Sequence, residues 1–346
     1  MKPLDKLLRE HVKNFAAYAS ARDEFKDSDA DYIFLDANEN PFNTGVNRYP
    51  DPHQVELKEA LSVIKKVHPN QILVGNGSDE VLDLLVRAFC NPGKDEVITL
   101  PPTYGMYSVL AKLNAITIKE VLLTSDFQPD VDAILEEASE NTKMLFLCSP
   151  NNPTGNAFTE KSIEFLLENF SGIVVIDEAY IDFSKTKSWT RRLSDYPNLV
   201  VTQTLSKAYG LAGIRVGLCY ASEEIIQVLT SIKPPYNVNT SSQKKALKRL
   251  KDMKTVKKEI SKVKKYRNKL VAQLQEISSI EKVYPSDANF VLVKVSDSTN
   301  MYQQLIEKKI IVRNRTTQPL CENTLRFTVG TKRENKLLIQ ALKELA

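Results

Sequence analysis

Between residues 70 and 220, short runs of consecutive apolar residues alternate with longer, helix-patterned stretches. ILVG (72–75), EVITL (96–100), AITIKEV (115–121), MLFLC (144–148), GIVVI (172–176), LVVTQT (199–204) and RVGLCY (215–220) are seven candidate strands. Apolar residues on successive positions mark strands covered on both faces, and helix-length spacers mark crossover connections. The pattern predicts an α/β unit with a mostly parallel seven-stranded sheet, and ligands of such sheets bind beyond the strand carboxyl ends.

The flanks read differently. Leu4, Leu7, Leu8, Val12, Phe15 and Tyr18 recur at helical intervals and predict an amphipathic opening helix over 4–19, followed by a polar connector over 20–31. After KPPYNVN (233–239), apolar residues from Leu247 to Ile277 return every three or four positions, which predicts one long helix. Strands near 289–295, 310–313 and 324–329, with helices around 300–308 and 334–345, complete a smaller α+β unit. The boundary falls near 234–240. No fixed-period repeat and no low-complexity segment interrupts this plan.

Composition changes the picture in only one place. With 346 residues, 42% hydrophobic and 26% charged, the chain has globular proportions. The net charge is +4, but thirteen Lys or Arg and two acids lie between Lys244 and Lys269, so that the remainder is net acidic. This basic stretch reads first as the solvated face of the long helix; aromatic stacking residues for nucleic acid are nearly absent there. Cys90, Cys148, Cys219 and Cys321 stand singly with no CxxC spacing, which reads as reduced, buried thiols without a metal cluster or disulfide framework. The opening residues show no export pattern and no apolar run is long enough to span a bilayer, so a cytoplasmic protein is expected.

Four strand-end segments carry the candidate chemistry. TLSKAYGLAGIRVG (204–217) sets Lys207 after a strand beside Ser206, with Gly210 and Gly213 permitting close backbone approach and Arg215 offering a planar cationic fork for phosphate. A surface lysine is the plain alternative; an amine beside a phosphate site instead suits a phosphate-bearing aldehyde. VVIDEAYIDF (174–183) ends a strand with Asp177, and Tyr180 can reach the same space, although an aspartate here could merely cap a helix. SPNNPTG (149–155) forms a Pro- and Gly-fixed turn able to hold an Asn side chain rigidly. GNGSDE (75–80) is a strand-to-helix junction whose Ser78 and Asp79 open a helix, where backbone N–H groups can meet phosphate; it lacks the ending of a Walker loop.

These segments in this order, with Asn152, Asp177 and Lys207 separated by 25 and 30 residues, resemble the fold-type I pyridoxal-phosphate-dependent aminotransferases. DANENP (36–41), RYPDP (48–52) and LRFTVGT (325–331) extend the likeness over nearly the whole chain, and are most similar to the branch acting on histidinol phosphate. The resemblance implies a large cofactor-binding domain over 31–235 and a small domain made from 1–30 and 236–346. It implies pyridoxal 5'-phosphate as cofactor, with Lys207 as the lysine that holds it covalently and shuttles the proton, and Asp177 as the partner of the pyridine nitrogen. Asn152 and Tyr180 match the residues that bind the ring hydroxyl oxygen, and Tyr104 matches the aromatic over the ring face. Ser78, Asp79, Thr204, Ser206 and Arg215 match the phosphate cup. Tyr49 is expected to reach that phosphate from a neighbouring subunit, which would make the enzyme a homodimer.

For substrates, the resemblance implies histidinol phosphate and 2-oxoglutarate or glutamate in histidine biosynthesis, bound by Tyr18, Tyr49, Arg313 and Arg326. A guanidinium fork suits a carboxylate or a phosphate. The chain departs from the family at AAYASAR (16–22), where Tyr18 remains without the usual prolines and glycine; Arg22 is a further candidate anion contact there. Phosphothreonine decarboxylation of corrinoid synthesis and broad or aromatic transamination share the same motifs and stay open. A regulator built on this fold is disfavoured, because only about thirty residues precede DANENP, too few for a DNA-binding domain.

Overall fold

The apolar runs are strands in the computed structural model, which describes residues 2–16 and 32–345. They are β1 (Ile72–Gly75), β2 (Glu96–Thr99), β3 (Thr117–Glu120), β4 (Thr142–Cys148), β5 (Ile173–Asp177), β6 (Leu199–Thr204) and β7 (Gly217–Tyr220). The sheet order is β1-β7-β6-β5-β4-β2-β3. Neighbours from β3 through β6 pair in parallel, whereas β7 runs antiparallel to both β6 and β1. Every residue of β1, β5, β6 and β7 is buried, β2 and β4 each have one partly exposed residue, and the edge strand β3 has no buried residue, as its Thr-Ile-Lys-Glu sequence requires.

Helices cover both faces. In chain order they are α1 (Leu4–Leu7), α2 (Glu10–Lys13), α3 (Val55–Lys65), α4 (Ser78–Phe89), α5 (Met106–Leu113), α6 (Val131–Glu137), α7 (Glu160–Asn169) and α8 (Glu223–Ile232). Along β5 the side chains alternate: Val174 and Ile176 join a core with Leu57 of α3 and Leu166 of α7. Ile173 and Val175 join the opposite core with Leu85 of α4, Leu110 of α5 and Leu229 of α8.

Residues beyond 239 build α9 (Thr240–Lys251), α10 (Met253–Leu274), β8 (Ile280–Val283), β9 (Phe290–Val295), α11 (Ser298–Glu307), β10 (Arg313–Asn314), β11 (Thr324–Thr328) and α12 (Lys332–Glu344). The four strands form an antiparallel sheet in the order β10-β11-β9-β8. Its apolar face, with Val291, Val293, Leu325 and Phe327, packs on Leu270 and Leu274 of α10 and Leu338 and Leu342 of α12.

Three sequence expectations are corrected. The opening helix is two single turns, broken where Leu8 is extended and the Arg9 N–H donates to the Ala88 carbonyl at 2.9 Å. A tertiary hydrogen bond thus replaces helix continuation, and Leu7 is buried in the cluster that holds Leu85 of α4 and Leu110 of α5. The long helix is also two, because Asp252 leaves helical geometry and caps α10 by accepting from the Thr255 N–H at 3.2 Å. The basic stretch is likewise more than a solvated face: Arg249 donates to the Tyr209 carbonyl and pairs with Glu259, and buried Arg267 donates to the Ala288 and Phe183 carbonyls. The four cysteines are buried free thiols, as expected. Among the described residues no helix is long and apolar enough to cross a membrane.

Candidate active site

Strands β4, β5 and β6 end side by side, with Cys148 in register with Asp177 and Asp177 with Thr202. One cavity opens beyond these ends, and Asn152, Asp177, Tyr180 and Lys207 all line it.

Its floor on one side is the start of α4. Gly77 has φ +84, and a Cβ there would come within 2.5 Å of an Arg215 nitrogen. A Cβ at Gly217 would lie 2.2 Å from the Ser78 nitrogen, so β7 can approach the helix start only as glycine. No side chain caps α4, which leaves the first N–H groups of the helix for a ligand. Ser78, Asp79, Thr204, Ser206 and Arg215 surround this corner. Arg215 Nη2 lies 3.6 Å from Asp79 Oδ2, and Thr204 Oγ1 accepts from the Ser206 N–H at 3.1 Å. Helix dipole, free amides and a guanidinium together make an anion cradle.

Asp177 lies deeper. Its carboxylate accepts from the Tyr107 hydroxyl at 2.8 Å and the Ala179 N–H at 3.1 Å. Burial pushes its carboxyl above the usual range, and these donors, with Thr202, oppose the push. Tyr107 is itself fixed by stacking on Phe146 at 4.9 Å and by an edge contact with Tyr104. Tyr104 donates to Asp79 Oδ1 at 3.0 Å, which ties the wall of the cavity to the anion cradle.

Lys207 faces the opening, with Nζ 5.8 Å from the centre of the Tyr180 ring. Burial first, and the Arg326 charge second, lower its pKa and favour the neutral amine. In SPNNPTG, Asn151 is spent on the fold: its amide donates to the Pro102 carbonyl at 2.9 Å and to Thr154. Asn152 is thereby left to the cavity, and its carbonyl oxygen accepts from Arg326 Nη1. Arg326 also lies over the Phe290 ring, 5.0 Å from its centre.

The residues fit pyridoxal 5'-phosphate. Asp177 is a buried carboxylate without an ion-pair partner among the described residues, a place suited to a pyridinium N–H. The uncapped helix start beside Arg215 suits the phosphate, and a depressed lysine between them suits an aldehyde.

The aminotransferase class I and II family model matches residues 24–342. The chain belongs to that family. Histidinol-phosphate aminotransferase of Flavobacterium johnsoniae is 61% identical over 343 residues, covering 99% of this chain and 98% of the relative. Among solved structures, histidinol-phosphate aminotransferase from Sinorhizobium meliloti in complex with pyridoxal-5'-phosphate has 25% identity and a TM-score of 0.80, covering 86% of this chain and 83% of that one. The enzyme of the same name from Clostridium acetobutylicum has a TM-score of 0.81 at 23% identity, covering 87% of this chain and 91% of that one. The fold-type I architecture expected from the motifs is therefore the observed one.

Not every expected family site residue gathers in this cavity. Tyr49 is half-exposed, stacks on Tyr236 at 4.4 Å and lines a separate groove with Arg48, Pro50 and Thr240. Arg313 is exposed on β10, directly opposite Arg326. Tyr18 and Arg22 lie outside the described residues. Two residues escaped sequence reasoning. Tyr107, in PPTYGMY, binds Asp177, and only its spacing from Tyr104 hinted at a shared side. Arg315 follows Arg313 by two positions, which on a strand is the same face.

Proposed function

We propose that the chain is a pyridoxal-phosphate-dependent aminotransferase that moves an amino group between L-histidinol phosphate and 2-oxoglutarate, giving imidazole acetol phosphate and glutamate. The observation that carries this reading is the whole-length likeness to relatives named for that activity. The cavity supports it: a depressed lysine, a buried carboxylate and an anion cradle open onto one arginine fork.

Pyridoxal 5'-phosphate, when bound, supplies an aldehyde that captures amines and a protonated ring that withdraws electrons from the substrate's Cα. In this reading Lys207 Nζ, whose pKa burial and then the Arg326 charge lower, would move the proton between the substrate's Cα and the former aldehyde carbon across the nitrogen. Asp177 holds the proton on the ring nitrogen, and Tyr107 keeps that carboxylate aligned. Asn152 and Tyr180 would orient the ring through its hydroxyl oxygen, and Tyr104 would supply the aromatic side chain for its face. Ser78, Asp79, Thr204, Ser206 and Arg215 would hold the phosphate. Arg326, with Arg313 opposite it on β10, receives the substrate's anionic group, which is a phosphate in one half-reaction and a carboxylate in the other, and its single fork suffices for the carboxylate.

The reading includes a cytoplasmic homodimer in which the partner subunit's Tyr49 completes the phosphate site. Ile33, Leu35, Phe42 and Val46 are exposed apolar side chains in the segment that leads to Tyr49, and Val46 lines the same groove, which supports a covered surface here. It also divides the chain into a large unit over 31–235, joined by the described opening residues, and a small unit over 236–345.

The test is a single-turnover experiment on the cofactor-loaded enzyme. Histidinol phosphate should discharge its visible absorbance band and 2-oxoglutarate should restore it. Lys207→Ala should abolish turnover while the fold and non-covalent cofactor binding persist; wild-type rates in that variant would sink the assignment. Carbon dioxide release from phosphothreonine without amino transfer would favour the decarboxylase instead.

A further inference from the structure

Three arginines share one face of the four-stranded sheet. Arg313 on β10 stands opposite Arg326 on β11. The Arg315 N–H donates to the Thr324 carbonyl at 2.9 Å, which continues the pairing and sets Arg315 on the same face two residues along. Leu325 and Phe327 point the other way, into the core. Like charges directly opposite on neighbouring strands destabilise a sheet. None of the three is paired with a carboxylate among the described residues.

Two of these side chains also hold a buried donor without an acceptor among the described residues: Arg315 Nε and Arg326 Nε. An unpaired buried donor costs stability, so an arrangement that keeps two of them side by side is explained by a ligand that pairs them. The charges confirm the proximity. Burial and then Arg315, ahead of Arg313, push Arg326 down to about 10. Arg315 is itself lowered by burial and by Arg313, and both Arg315 and Arg326 act on the Tyr180 phenol at the cavity wall.

We propose that Arg315 is a specificity-determining residue, whose guanidinium receives the phosphate of the phosphorylated substrate but not the carboxylate of its amino-acid partner. This rests on the function proposed above. A carboxylate has two oxygens and one charge and is filled by a single guanidinium fork. A phosphate monoester presents three terminal oxygens and nearly two charges, so a second fork remains to be used. Arg326, fastened to Asn152 at the cavity, serves the anion that both substrates bring. Arg315 is the added cation that only the larger anion engages.

The experiment compares half-reactions of the cofactor-loaded enzyme and Arg315→Gln. The KM for histidinol phosphate should rise about tenfold, as for a lost hydrogen bond to a charged group, with kcat and the KM values for glutamate and 2-oxoglutarate within about twofold. The melting temperature should hold or rise, because an unpaired buried charge has been removed, and Arg315→Lys should recover part of the KM. Equal KM changes for both substrates, or none, would overturn the proposal. If the unsubstituted enzyme refuses histidinol phosphate, the functional reading has failed separately. Competitive inhibition of the glutamate half-reaction by inorganic phosphate then decides: weaker inhibition of Arg315→Gln upholds the phosphate site, and equal inhibition overturns it.

Discussion

Asp177 and Glu178 are consecutive carboxylates at the end of β5, both nearly inaccessible, and they have opposite surroundings. Glu178 is enclosed by the fold: Ser188 Oγ, the Trp189 N–H and Gln203 Nε2 donate to it at 2.6, 2.7 and 2.8 Å. Asp177, on the other face, has one phenol and one backbone N–H within hydrogen-bond distance, the Thr202 hydroxyl nearby, and an open side toward the cavity. Burial raises the pKa of both, and carries Glu178 to about 7. Burial alone therefore does not distinguish a reactive carboxylate from a structural one. What distinguishes them is whether the protein has already supplied every partner.

The contrast is broken most directly at Asp177. Asp177→Asn should lower kcat/KM by about a hundredfold or more, the scale of losing a preorganised charge at a reacting centre, with the melting temperature little changed. Steady-state kinetics beside thermal melts would check it; near-normal activity would put Asp177 in the structural class with Glu178. Tyr107→Phe should have a smaller effect, about tenfold on kcat, because a donor to a charged group is lost while the ring packing stays. With that donor gone, the Asp177 carboxyl rises further, so the acid limb of the pH profile should move to higher pH.

Glu178 should show the smallest effect on rate and a distinct one on stability. Its folded value of about 7 lies above the ordinary unfolded value of about 4.3, so the native state keeps a proton that the unfolded chain releases. Its contribution is fully present below the unfolded value and is lost as pH rises through about 7. In Glu178→Gln that decline should flatten, with kcat within about threefold of wild type. Urea midpoints at pH 5, 6, 7 and 8 on both proteins would read it, and parallel curves would remove Glu178 as the titrating group.

The strands were legible where burial dictates composition: no polar residue interrupts MLFLC or IVVI, since both faces of β4 and β5 are covered. β8 was not legible, because Glu281 and Lys282 lie exposed between Ile280 and Val283 on an edge strand that demands little. The break between α9 and α10 was hidden since apolar spacing continues across Asp252 and only one residue leaves the helix. At the site, Lys207, Asp177, Asn152 and Arg215 could be read from local motifs because the chemistry fixes their type and their place at a strand end. Arg315 and Tyr107 depend on register and on packing between distant segments. Tyr49 has no such local signal: within one chain its ring stacks on Tyr236 and its N–H donates to Glu39, away from the cavity.

The reversed direction of β7 has a further consequence. Because it returns beside β6, Lys207 and Arg215 belong to a single connection between two paired strands. That connection is pinned from inside: the Leu205 N–H reaches the Val216 carbonyl at 3.0 Å, the Leu211 N–H the Leu205 carbonyl at 3.0 Å and the Gly210 N–H the Lys207 carbonyl at 3.1 Å. The two groups that would grip opposite ends of one small molecule are thus the jaws of a caliper, its gauge set by the hairpin before any ligand arrives.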